Sequence, residues 1–120
     1  MIVEIGSWKG KSTSWLGYGS KHGSKVEVFA IDPHVGSPEH VRKLGSKINT
    51  FDEFTKNIHT AGVEDLVHPL VMSSEQAANQ FLQPVEFIFI DGAHEYASVK
   101  LDFDLWFPKV IENGVMAFHD

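Results

Sequence analysis

The chain has 120 residues, 42% of them hydrophobic, and no cysteine. That suffices for one globular domain over residues 1–120 with its own core, and it excludes disulfides and thiolate metal sites. A formal net charge of −6 without a Lys/Arg run excludes a sequence-independent nucleic-acid surface, and the lack of a long apolar run or signal-peptide pattern makes a cytoplasmic protein with no membrane partner the expectation.

In chain order, Ile2-Val3-Glu4-Ile5 reads as a short apolar strand entering a glycine turn, then a helix over 12–22 with Trp15 and Leu16 on its inner side. Gly17 and Gly19 weaken that helix and Gly23 ends it. Residues 26–32 (Val-Glu-Val-Phe-Ala-Ile-Asp) predict a buried strand closed by Asp32, with Pro33 stopping regular pairing. The pattern from 34 to 49 is irregular, with one helical turn expected over 39–44. Thr50 and Glu53 fit a capping box that opens a helix bearing Phe51, Phe54 and Ile58, and Gly62 stops it.

Residues 66–72 predict a third strand, which Pro69 pushes to the sheet edge. Ser73 to Gln76 forms a second capping candidate, before a helix running to 82. Residues 85–91 (Val-Glu-Phe-Ile-Phe-Ile-Asp) make the strongest strand. The helix after it carries Tyr96, Val99, Phe103, Trp106 and Val110 near one face, and the aromatics Phe103, Trp106 and Phe107 are expected in the core. Asn113-Gly114 reads as a turn before a last strand at 115–118. Strands alternating with helices predict an α/β fold, a parallel sheet covered on both faces.

Three ligand loops compete for the glycine turn. The dinucleotide fingerprint fails, because Ser7-Trp8 follows Gly6 where a second glycine is required. The P-loop is closer, since Gly10-Lys11-Ser12 is its tail, but its first glycine should fall on Ile5. A nucleotide triphosphatase or kinase therefore remains an alternative, helped by the Walker-B look of the strand ending in Asp91. The third pattern, E-x-G-x-x-x-G, has Glu4, Gly6 and Gly10 in register. It resembles the first motif of class I S-adenosylmethionine-dependent methyltransferases.

Polar groups end nearly every strand, where open α/β sheets bind ligands. Asp32, roughly 20 residues past the loop, suits two ribose hydroxyls. The run Asp91-Gly92-x-His94-x-Tyr96, with Val99, Asp102, Trp106, Pro108, Gly114 and His119-Asp120, resembles small-molecule O-methyltransferases related to cephalosporin- and macrolide-sugar-modifying enzymes. The likeness covers Glu4 to Asp120. It implies a Rossmann-like sheet of about five strands in the order 3-2-1-4-5. It further implies that Glu4, Gly6, Ser7 and Gly10, with neighbours Trp8 and Ser12, hold the methionine part of the cofactor. Asp32 would bind the ribose, Ser73 and Ser74 would border the adenine, and Asp91 would line the site. Asp91, Asp120 and His119 stand where related enzymes hold Mg²⁺, and His94 stands where a general base is proposed.

Methyl transfer from a sulfonium to oxygen is an in-line displacement that depends on positioning. The hydroxyl must also lose its proton, to a histidine or with help from a carboxylate-bound cation. His94 with Asp91 suits the first route, and Asp91 with Asp120 and His119 the second. The other histidines, His22, His34, His40, His59 and His68, read as surface or loop residues. Members of that family usually carry helices before the first strand and two strands after the fifth. The chain is thus expected to be the cofactor-binding core of such a domain, either active on a small molecule or a non-catalytic cofactor-binding fragment. Its fifth strand is expected to be an open edge that invites a second copy of the chain.

Overall fold

A computed structural model describes residues 1–36, 43 and 49–119. Five parallel strands form one sheet: β1 Ile2–Ile5, β2 Val28–Ile31, β3 Val67–Leu70, β4 Val85–Ile90 and β5 Val110–Phe118. Their order is β3-β2-β1-β4-β5, as expected. The helices α1 Lys11–His22, α2 Phe51–Thr60, α3 Ser74–Gln80 and α4 Tyr96–Trp106 cross between the strands, and a short 3-10 helix, Phe107–Lys109, leads into β5.

The two-residue period of the strands divides the core. Val3 and Ile5 of β1, Ile31 of β2 and Ile88 and Ile90 of β4 face one side, where Ala77, Phe81 and Trp106 cover them. Val28 and Ala30 face the other side, against Phe54, Ile58 and Val63. Apolar residues on alternate positions of three central strands thus need a helical layer on each face, and the four helices supply it.

As expected, Leu16 is half-buried and packs against the Val28, Phe54 and Val63 side of the core; Trp15 does not, so the inner face of α1 differs in part from expectation. Thr13, Gly17 and Ser20 are its buried residues, whereas Trp15 is 70% exposed and edges against Tyr18. The helix approaches its neighbours too closely for large side chains, because a Cβ on Gly17 would stand 2.8 Å from the Cβ of Val63. Gly19 on the same helix faces open space. Two alanine substitutions should therefore have opposite signs. Gly19→Ala should stabilise by about 0.5–1 kcal/mol through helix propensity. Gly17→Ala should lose about 1 kcal/mol net, since overpacking outweighs the same gain. Urea unfolding of the two variants checks this, and equal signs would refute the close-packing account.

Other helix ends also separate local from tertiary control. The Ser73 capping box forms, with the Gln76 N–H donating to Ser73 Oγ at 3.2 Å and the Ser73 N–H to Gln76 Oε1 at 3.0 Å. The Thr50 box does not form, although α2 starts where predicted. Thr50 is buried and its hydroxyl bonds His34 Nδ1 at 2.9 Å instead. His34 is itself buried, between Phe51 and Phe54, and is not a surface residue.

At the other end of the sheet, β5 begins at Val110, earlier than the sequence suggests. Asn113-Gly114 lies inside it as an irregularity, where pairing jumps from Val85↔Val110 to Phe87↔Val115. Trp106 is fully buried, but Phe103 and Phe107 are exposed and stack on each other, and Tyr96 is exposed too. The helical turn expected over 39–44 includes residues outside those described.

Candidate cofactor site

The site begins where β1 ends. Gly6 has φ +87°, and a Cβ there would stand 2.2 Å from the carbonyl oxygen of Asp91 and 2.8 Å from the Cα of Gly92. Only glycine allows both the left-handed backbone and this approach of the β1 and β4 ends. The Asp91 N–H donates to the Ile5 carbonyl at 2.8 Å and the Gly6 N–H to that of Ile31 at 2.9 Å, which ties three strand ends together. Beyond them opens a cavity of about 360 Å³, within the size range of small-molecule sites.

Asp32 follows β2 and is 9% exposed. Its Oδ2 accepts the Trp8 N–H at 2.8 Å and its Oδ1 the His34 N–H at 2.7 Å. Two oxygens offer about four acceptor positions, so this rigid carboxylate keeps capacity for donors in the cavity it borders.

The structure divides the expected binding residues into two groups. Gly6, Trp8, Asp32, Ser73, Ser74 and Asp91 border the cavity. Glu4, Ser7, Gly10 and Ser12 stand behind the loop. Glu4 is fully buried on the α1 side of β1, and its two carboxylate oxygens accept from the Ser12 and Thr13 hydroxyls. Burial pushes its carboxyl up to about 7, against the two hydroxyl hydrogen bonds and with help from the charges of Asp91 and Asp32. Ser7 is buried with its hydroxyl unpartnered, and a Cβ on Gly10, at φ +84°, would meet the ring of Phe54 at 3.1 Å. These four shape the turn from behind.

His119 Nδ1 pairs with Asp91 Oδ1 at 3.1 Å, and its ring lies 6.3 Å from that of His94, which is exposed; neither histidine lines the cavity. Asp120 lies outside the described residues. Sequence reasoning named Asp102 in the run that carries the resemblance but gave it no role; it also borders the cavity from α4 and is buried. Its signal was present: Asp102 and Trp106 are four residues apart, so a carboxylate shares the buried face of the helix.

A family model described as a methyltransferase domain matches residues 3–120. The chain belongs to that family. This methyltransferase domain is 44% identical over 131 residues to "Uncharacterized protein y4gI" of Sinorhizobium fredii, covering 99% of the chain and 13% of that protein. Its fold matches an rRNA methylase from Streptococcus thermophilus with a TM-score of 0.70 at 13% identity, over 98% of this chain and 58% of that one. It likewise matches the SAH-bound methyltransferase PaMTH1 of Podospora anserina, with a TM-score of 0.69 at 20% identity, over 96% and 43%. The chain spans half or less of the length of the curated relatives it matches.

In this methyltransferase domain the Gly10-Lys11-Ser12 tail makes no phosphate cradle. The Trp8 N–H is directed at Asp32, the Gly10 N–H at the Ser7 carbonyl and the Ser12 hydroxyl at Glu4, while Lys11 is exposed. Three donors of the turn are thus engaged within the chain rather than free for a phosphate. The expected Mg²⁺ set of Asp91, Asp120 and His119 is not supported by the described residues, which leave out Asp120. Among them no group of three or more His, Asp or Glu side chains could hold a metal ion. Asp91 paired with His119 falls short of the oxygen-rich set that a hard cation takes. Among the described residues no helix is long and apolar enough to cross a membrane.

Proposed function

We propose that the chain binds S-adenosylmethionine and directs its methyl group to a hydroxyl of a small molecule. The observation that carries this reading is Asp32, a carboxylate locked by the Trp8 and His34 N–H groups while it borders the cavity. Acceptor-only oxygens held in this way suit the two hydroxyls of a ribose. Gly6 and Trp8 then wall the methionine side, and Ser73 and Ser74 the base side. Membership of a methyltransferase-domain family supports the same cofactor.

Bound there, the cofactor supplies a methyl group on a sulfonium; transfer forms an oxygen–carbon bond while the carbon–sulfur pair stays with sulfur. The protein orients the two partners in line and takes the proton of the acceptor hydroxyl. Two neighbouring imidazoles, one of them paired with Asp91, are the candidates for that proton. His94 is the base that the family resemblance implies. His119 is held by Asp91, which orients its ring. A net charge of −6 favours a small acceptor over a polyanionic one.

Calorimetry with S-adenosylhomocysteine and with Mg-ATP tests the cofactor reading. The first should bind and the second should not, and Asp32→Ala should weaken the first by about 100-fold, the loss of two charge-assisted hydrogen bonds. Binding of Mg-ATP alone would sink the proposal. Binding of the homocysteine without turnover of any hydroxylated acceptor would make the chain a non-catalytic cofactor module. If His94→Ala keeps the rate and His119→Ala loses it, the base is His119.

A further inference from the structure

The two N–H groups that hold Asp32 belong to strained backbone. Among the described residues four non-glycine residues have positive φ, and two of them are Trp8 at +49° and His34 at +60°, the residues whose N–H groups reach the two Asp32 oxygens. A left-handed backbone is unfavourable for residues other than glycine, so surrounding contacts must hold it. At His34 those contacts come from the start of α2. The Thr50 N–H donates to the His34 carbonyl at 3.0 Å, and His34 Nδ1 and the Thr50 hydroxyl bond at 2.9 Å. The ring stands 5.3 Å from that of Phe51 and 5.2 Å from that of Phe54. Residue 34 is thus gripped through side chain and backbone alike, and it is 2% exposed.

Packing alone does not explain a histidine here. A phenylalanine would fill the space between Phe51 and Phe54 without burying a polar atom. His34 instead buries an Nε2 that has no partner among the described residues, which is costly. What the imidazole adds is the bond to Thr50. Because the carbonyl and ring of residue 34 are anchored on α2, relaxation of its φ must turn the peptide that carries its N–H. Pro33 stands between the two residues, and a proline ring fixes φ at about −65°, so it passes that turn on instead of absorbing it. The N–H then leaves Asp32 Oδ1, and the carboxylate loses one of the two bonds that lock it.

Resting on the reading of Asp32 as the ribose partner, we propose that His34 is a positioning residue for the cofactor: its grip on Thr50 aims its N–H at Asp32 and sets the carboxylate for a ribose diol. The test is calorimetry with S-adenosylhomocysteine on the full chain. His34→Phe keeps the packing, and Thr50→Val keeps the shape of Thr50 without its hydroxyl. Each should weaken binding by about fivefold to tenfold. Each should cost about twofold or less when added to Asp32→Ala, since groups that act through one carboxylate are not additive. Thr50→Ser, which returns the hydroxyl, should recover the affinity lost in Thr50→Val. Losses of equal size with and without the Asp32 carboxylate overturn the proposal, because His34 and Thr50 would then support the cavity as a whole. Wild-type affinity in either variant overturns it too. If His34→Phe does not fold by circular dichroism, Thr50→Val and Thr50→Ser are judged by the same criteria. If Asp32→Ala itself binds as the wild type does, the ribose reading fails, and this proposal with it.

Discussion

Gly6→Ala should lose measurable binding of S-adenosylhomocysteine and at least about 3 kcal/mol of unfolding free energy, the most damaging single methyl that the chain can receive at its site. Two costs add. A non-glycine residue at φ +87° is strained by about 1–2 kcal/mol. The new Cβ also stands 2.2 Å from the Asp91 carbonyl oxygen, and the atoms in its way are backbone, which cannot rotate aside. The β1 and β4 ends must then separate, which displaces the Asp91 N–H from the Ile5 carbonyl and moves two walls of the cavity. Urea unfolding and ligand titration on one preparation test this. A variant within about 0.5 kcal/mol of wild type that still binds would show that the two ends are not in contact.

Glu4 should make stability fall as pH rises through neutrality. Its carboxyl titrates at about 7 in the folded chain, against 4.5 for the ordinary group. Between those values the folded state holds a proton that the unfolded state has released. The stabilisation is therefore fully present below pH 4.5 and is lost as pH rises through 7. The full change is about 3 kcal/mol, undiluted by solvent because the side chain is fully buried. Asp102 shifts the same way and His34 the opposite way, so the wild-type profile alone does not isolate Glu4. Glu4→Gln does. Its amide keeps an acceptor for one of the Ser12 and Thr13 hydroxyls and offers a donor to the other, with no charge at any pH. The variant should gain on wild type by about 3 kcal/mol between pH 4.5 and pH 8.5; parallel stability profiles would show that Glu4 is ionised throughout.

That behaviour bears on the role of Glu4. The resemblance implies that it holds the methionine part of the cofactor, whereas the fold buries it on the α1 side of β1, where it joins β1 to the first turn of α1. Its contribution to the site runs through Ser12 and Thr13, which set where the helix starts and hence where Trp8 and Gly6 face. The motif marks a glycine turn that borders the cavity, but the side of the strand on which residue 4 falls is set by pairing, with Val3 and Ile5 taking the opposite face.

The amino-acid sequence by itself determined most of the elements and pointed to Asp32, which borders the cavity. Apolar runs near 2–5, 28–31 and 85–90 are legible because a strand buried on both faces keeps few polar positions, here only Glu4 and Glu86. Pro69 located β3 at an edge because proline cannot donate to a ladder, and Asp32 was legible because ligand groups in such sheets gather where strands end. The tertiary structure alone decided which faces are buried and which polar groups meet. Val63, distant in sequence, leaves no room for a side chain at Gly17 and so turns Trp15 outward. His34 takes the Thr50 hydroxyl that local pattern assigned to a cap. Asp102, Ser74 and Trp106 come together only once α3 and α4 lie side by side. Local pattern reports each residue's propensity and period, while burial and hydrogen-bond partnership are properties of pairs distant in sequence.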